Sequence, residues 1–309
     1  MYSVETAVVG KPDIDLEEAL SMKLREYQEA AGQTDQRSGR DLADIAVHLL
    51  GMIGEAGSVA TEYKKLLRDG AAHVAWKARV REELGDVLWY TATLASKLDL
   101  DLEDVARANL EKTRNRWLRA SSEPLDDDFP EDEQLPRDGR FEFIASTNDA
   151  GSPTVRVRYG GQWIGDPLTD ASHVDDGYRF HDVFHLAHAA ALGWSPVTRK
   201  LLGRKRRSDP GIDEAEDGGR AIVIEEGVAA MVFAYATSHD YLRGIARLDF
   251  ELLDGIQNLV APLEVGIRNA ANWEQAILTG YDAWRQLRDG NGGTVLLDMR
   301  QQSLTVVPT

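Results

Sequence analysis

GEAGSVATEYKK at residues 54–65 and EELGDVLWY at 82–90 decide the reading of this chain. On a helix, Glu83 and Asp86 are three apart and share a face; Glu55 and Glu62, seven apart, share a face of the helix before it. Two antiparallel helices would bring these faces together. Four carboxylates meeting there would repel one another unless a cation neutralised them. Mg²⁺ suits an all-oxygen site and keeps part of its water shell, which leaves room for substrate phosphates. Mn²⁺ accepts the same donors. The bland alternative is a solvated acidic face. Val80, Leu84, Val87 and Leu88 surround Glu83 and Asp86 and weigh against it.

Helical periodicity extends outward from this pair. IDLEEALSMKLREYQEAA (14–31), DLADIAVHLLGMIGEAGSVATEYKKLL (41–67), VAWKARVREELGDVLWYTATLASKL (74–98) and LDLEDVARANLEKTRNRWLRA (100–120) carry apolar residues near helical spacing. Asp101 followed by Asp104 marks a helix start. SSEPLDDDFPEDEQLPRDG (121–139) holds three prolines and eight acidic residues and reads as an acidic linker. Beyond it, RFEFIAST (140–147) and TVRVRYGGQWIG (154–165) alternate apolar and polar residues, which predicts a hairpin. Residues 178–203, 219–239 and 241–288 look helical, and GGTVLLDM and SLTVV near the end look like short strands. The fold class expected is mainly α: an all-α helical bundle over 14–120, then an α+β domain over 140–309.

The bulk numbers narrow the function classes. The formal net charge of −17 disfavours a polyanion, so no nucleic-acid partner is expected. A small nucleotide arriving with its metal escapes that repulsion. No run of eighteen apolar residues predicts a membrane span, and residues 1–20 do not read as a secretory signal. The absence of cysteine excludes disulfides and thiolate metal sites and fits a cytoplasmic setting.

GEAGSVATEYKK, EELGDVLWY and ANLEKTRNRW (108–117) together resemble the all-α nucleoside triphosphate pyrophosphohydrolases of the MazG type, over roughly residues 20–120. That family is described by E-x-x-E on one helix, E-x-x-D on the next, and a downstream Asn and Lys. The resemblance implies Mg²⁺-dependent release of pyrophosphate and a nucleoside monophosphate. It implies metal ligation by Glu55, Glu83 and Asp86, and phosphate or nucleotide contacts from Asn109, Lys112, Arg116 and Tyr90. It also implies a homodimer or homotetramer with helix faces buried between subunits. The pattern departs at Ser58, which stands where the second Glu of E-x-x-E belongs. Glu62 and Glu82 are the candidates to replace it and to accept the proton of the attacking water. If neither does, the first domain is a nucleotide-binding sensor with a degraded metal site.

The second half offers a different chemistry. YRFHDVFHLAHAAALGW (178–194) places His181, His185 and His188 on one helix face. IVIEEGVAAMVFAYA (222–236) carries Glu225 and Glu226 in an otherwise apolar helix, where unpartnered carboxylates are costly. These five residues suit Zn, Fe or Mn and a His/Glu metallohydrolase seated in the second domain. The competing reading is a set of core histidines hydrogen-bonded to Glu225 or Glu226. TRKLLGRKRRSDPGIDEAEDGGR (198–220) concentrates Arg199, Lys200, Arg204, Lys205, Arg206 and Arg207, either as a phosphate site or as a loop whose opposite charges pair locally. The DDGYRFHDVFHLAHAAALGWSP stretch also looks similar to the C-terminal domain that accompanies some MazG-type proteins.

Overall fold

The computed structural model describes residues 22–37, 39–120 and 123–307. It divides into two compact units, residues 1–112 and 113–309. The first holds α1 (Leu24–Thr34), α2 (Leu42–Asp69), α3 (Trp76–Lys97) and most of α4 (Leu102–Trp117). The part of the expected 14–31 helix before residue 22 lies outside the described residues.

Local chemistry sets the ends of these helices. Asp41 caps α2 by accepting from Asp44 N at 2.9 Å, satisfying a donor that the first turn leaves open. Asp101 opens α4, accepting from Glu103 N at 2.8 Å and Asp104 N at 3.4 Å. Gln28 ties α1 to α3 and α4: its amide donates to Ser96 Oγ at 3.0 Å, and its oxygen accepts from Leu102 N at 2.8 Å. Gly51 lets α2 and α3 approach, because a Cβ there would stand 2.3 Å from the Tyr90 ring. Among the described residues, the stretch containing α2 is long and apolar enough to cross a membrane. Its buried His48 and Glu62 instead find partners inside the helical unit, at Asp35 and His73.

The second unit is built on an antiparallel sheet in the order β3-β2-β1-β4-β5. Its strands are β1 (Asp138–Thr147), β2 (Pro153–Tyr159), β3 (Gln162–Leu168), β4 (Gly292–Asp298) and β5 (Ser303–Val307). Alternation sorts the faces: Phe141 and Phe143 of β1 and Val155 and Val157 of β2 are buried, while Glu142 turns out to Arg158. Burying each phenylalanine contributes about 2 kcal/mol of transfer free energy. The helices are α5 (Asp182–Leu192), α6 (Pro196–Leu202), α7 (Pro210–Ala215), α8 (Gly219–Thr237), α9 (Phe250–Val260) and α10 (Ala270–Asp289). α5 is buried along its whole length and packs with α10 and the strands β4 and β5.

Three expectations change. The helical reading of 241–288 is interrupted between α9 and α10, where Pro262 follows α9 and Asn269 caps α10 through Asn272 N. The reading of 178–203 resolves into α5 and α6, parted by Gly193 in a left-handed conformation (φ 67°) and restarted by the Ser195 cap. The acidic stretch 121–139 is not a solvated spacer in its described part: Leu135 joins the core, and buried Asp126 accepts from Leu135 N at 2.7 Å. A composition rule misses this because the acids of this stretch find cations elsewhere in the unit.

Candidate metal and nucleotide site

α2 and α3 carry the acidic site. Carboxylate oxygens of Glu55, Glu83 and Asp86 lie within 4.8 Å of one another. Partial burial, and then the adjacent Glu83 and Asp86 carboxylates, raise the Glu55 carboxyl above its ordinary value. That shift expresses crowded like charge, which a cation would relieve. Three oxygens converging from two helices are a donor set for a hard divalent ion.

Two expected members stand apart. Glu62 is buried, but it accepts from Lys65 and from His73 Nε2 at 2.9 Å. The Lys65 ammonium, and secondarily His73, hold its carboxyl below the usual range, which makes it a poor proton acceptor. Seven residues advance about 10.5 Å along a helix, so Glu62 and Glu55 cannot meet the same turn of α3. Glu82, next to Glu83, turns about 100° around the helix and lies exposed, 3.4 Å from Arg79. Neither belongs to the trio. Ser58 is half-buried, one turn beyond Glu55 on α2.

The expected nucleotide contacts divide in the same way. Tyr90 sits one turn beyond Asp86, edge-on to Trp89 at 5.0 Å and to His48 at 5.9 Å. Asn109 and Lys112 are exposed on α4, and no hydrogen bond or ion pair among the described residues links them to the trio. Arg116 falls in the second unit, where it donates to the Leu248 carbonyl at 2.7 Å and lies 5.3 Å from the Phe250 ring. It is a packing residue there. His48 and Trp89 went unnoticed in sequence. His48 Nε2 lies 3.1 Å from Asp35 Oδ1, and Trp89 Nε1 donates to Thr34 Oγ1 at 2.7 Å. The one available signal was the position of His48, seven residues before Glu55 on the same helix.

In the second unit, Glu225 is completely buried and fully partnered. Its Oε1 lies 3.0 Å from Nδ1 of both His185 and His188 and accepts from Ser195 Oγ at 2.8 Å; its Oε2 accepts from Val197 N at 2.9 Å. Burial alone would raise this carboxyl, but the facing imidazoles outweigh it and hold it at about 2. Glu225 therefore organises the histidines. Glu226 faces the other side of His185 at 3.5 Å, and the donors of His181, Asp182 and His185 form a second group. The histidines and glutamates expected to form one cluster thus form two that share His185.

Four of the six cations of the basic stretch are already engaged, some by acids within the stretch and some by groups far away in sequence. Arg199 is buried against Asp126. Arg204 donates to the carbonyls of Glu131 and Gln134 at 3.0 and 2.8 Å. Lys205 meets Asp213 at 2.6 Å. Arg206 is fully buried between Asp217 and Glu264, 2.7 and 2.6 Å away.

Comparison with known proteins agrees with this division. Residues 47–118 match the MazG nucleotide pyrophosphohydrolase domain, and residues 120–309 match the MazG C-terminal domain. The Gene 37 protein of Mycobacterium phage L5 is 38% identical over 96 residues, covering 29% of this chain and 84% of that protein. No solved structure matches the chain. The crowded carboxylates of α2 and α3 lie within the first matched stretch, and the Glu225-centred core lies within the second. The chain belongs to the MazG family, as a nucleotide pyrophosphohydrolase-type domain followed by a MazG C-terminal domain.

Proposed function

We propose that the chain hydrolyses a nucleoside triphosphate to a nucleoside monophosphate and pyrophosphate at the Glu55–Glu83–Asp86 site, with Mg²⁺ or, in its place, Mn²⁺. The observation that carries this reading is the convergence of three carboxylates within 4.8 Å in the pyrophosphohydrolase-type domain. The bound metal would polarise phosphoryl oxygens and make its water more acidic. Glu55, Glu83 and Asp86 would hold it, and its charge would offset the neighbouring carboxylates that help raise the Glu55 carboxyl. Lys112 and Asn109, exposed on α4, are the polar groups proposed for phosphate, and Tyr90 the aromatic one proposed for the base.

Product analysis tests the reaction. Incubation of nucleoside triphosphates with Mg²⁺ is expected to give monophosphate and pyrophosphate in equal amounts; diphosphate with orthophosphate would overturn the bond assignment. Ser58 supports a second reading, a sensor that binds nucleotide without cleaving it. Ser58→Glu adds a fourth carboxylate beside Glu55 and is expected to raise the turnover of an already active chain by about tenfold. A wild type that binds nucleotide without releasing pyrophosphate, with release appearing only in Ser58→Glu, would establish the sensor.

We also propose that the first unit associates with a second copy of the chain. Leu50, Ile53, Leu67 and Leu84 on α2 and α3 are 69%, 64%, 72% and 52% exposed, an apolar surface characteristic of association. Light scattering is expected to give a dimer or tetramer of the 34.2 kDa chain. A monomer at micromolar concentration would contradict this.

A further inference from the structure

The second unit contains a buried nitrogen without a partner, and the groups around it say what belongs there. His181 Nδ1 lies 3.0 Å from the Tyr178 carbonyl. A carbonyl only accepts, so Nδ1 carries a proton, and in the neutral ring Nε2 is left with its lone pair. His185 Nδ1 lies 3.0 Å from the Glu225 carboxylate and carries a proton there as well. His185 is completely buried, and its Nε2 makes no hydrogen bond. A buried nitrogen in that state is costly. Tyr178 stacks on His181 at 4.4 Å and steadies its ring.

A carboxylate stands near each Nε2. Asp182 Oδ1 lies 3.5 Å from His181 Nε2, and Glu226 Oε2 lies 3.5 Å from His185 Nε2. Donor atoms of His181, Asp182 and His185 all fall within 4.8 Å of one another. Two donors on one tetrahedral ion, each about 2.1 Å from it, stand about 3.4 Å apart, so the trio would draw closer around an ion and Glu226, placed by its contact with His185, would move in to join it. Glu226 stands at the rim, with its side chain 42% exposed. That leaves the site one face open to water.

We propose that His181 and His185, through Nε2, and the carboxylates of Asp182 and Glu226 bind one divalent transition-metal ion, Zn²⁺, Mn²⁺ or Fe²⁺. Two imidazoles and two carboxylates form a borderline donor set that favours these ions over Mg²⁺. Glu225 and the Tyr178 carbonyl act as positioning groups: each holds the far nitrogen of a ligand histidine, the arrangement that orients metal-bound imidazoles. Glu225 Oε1 is already engaged by His185, His188 and Ser195 and its Oε2 by Val197 N, which assigns it to positioning rather than to the metal. The competing occupant is a proton, shared by His185 with Glu226.

This inference is independent of the reaction proposed for the first unit. The full chain would be stripped with chelator, dialysed, and titrated with Zn²⁺, Mn²⁺, Co²⁺ and Mg²⁺, with occupancy read by elemental analysis and by the visible absorption of bound Co²⁺. The expected result is one equivalent of transition metal in Glu83→Gln/Asp86→Asn, where the first-unit site is removed, weakened about tenfold or more when His181→Ala is added. Glu226→Gln, at the exposed rim, supplies a second variant that keeps the core intact, and is expected to weaken binding and change the Co²⁺ spectrum. Absence of transition-metal binding by the folded chain would assign the nitrogen to a proton and overturn the proposal. So would binding that survives both His181→Ala and Glu226→Gln but is lost in Glu83→Gln/Asp86→Asn.

Discussion

Glu83→Gln combined with Asp86→Asn is expected to lower Mg²⁺-dependent pyrophosphate release by more than about 100-fold. Two of the three converging carboxylates disappear, and the amides that replace them carry no charge to hold the ion. A stability measurement separates this loss from damage to the fold. The raised Glu55 carboxyl contributes stability that is fully present below its ordinary value of 4.5 and is lost as pH rises through its higher folded value. Metal-free wild type should therefore lose stability in the first unit as pH climbs from about 4.5 toward neutrality, and Mg²⁺ should restore it. The double variant, with the like charges removed, should show a flatter profile and no response to Mg²⁺. Lost activity with lowered metal-free stability would mean that the carboxylates hold the helices together rather than bind the metal.

Arg206→Ala is expected to destabilise the second unit by about 3–5 kcal/mol, because it removes the two-pronged partner of buried Asp217 and leaves it only the longer Arg199 contact at 3.5 Å among the described residues. Arg206 contacts both oxygens of Asp217, through Nε at 3.1 Å and Nη2 at 2.7 Å, and also reaches Glu264. In a unit of this size the fall in melting temperature would be on the order of 10 °C. Arg206→Lys should recover part of the loss and not all of it, since an ammonium cannot reproduce the planar fork. Thermal unfolding followed by tryptophan fluorescence checks both variants, because Trp194, Trp273 and Trp284 are buried in this unit. A change under about 1 kcal/mol would mean that the cluster contributes little beyond its solvation cost.

The pattern of apolar residues made the elements legible where their environment was uniform. RFEFIAST and TVRVRYGGQWIG alternate because one sheet face packs on helices, so β1 and β2 followed as a hairpin, while the turn at Gly160 and Gly161 that starts β3 inside the second stretch did not. Glu55, Glu83 and Asp86 were legible because helix geometry fixes their spacing. Glu62 was misplaced because a shared helix face says nothing about height along the axis, and Lys65 and His73 were nearer partners. The basic stretch left its alternatives open in sequence because its partners, among them Asp126 and Glu264, lie 73 and 58 residues away. Residues 121–139 were misread for the same reason: charge composition does not show which acids will be paired in the core. The Glu225 centre was half-visible, since sequence placed three histidines on one face but could not say which nitrogens were already bound.

The most direct test of the central claim is pyrophosphate release by the wild-type chain across canonical and modified nucleoside triphosphates, with Mg²⁺ and with chelator, beside the Glu83→Gln/Asp86→Asn variant. The account predicts release that requires the metal and disappears in the variant. Release that persists in the variant, or no release from any triphosphate, would contradict it.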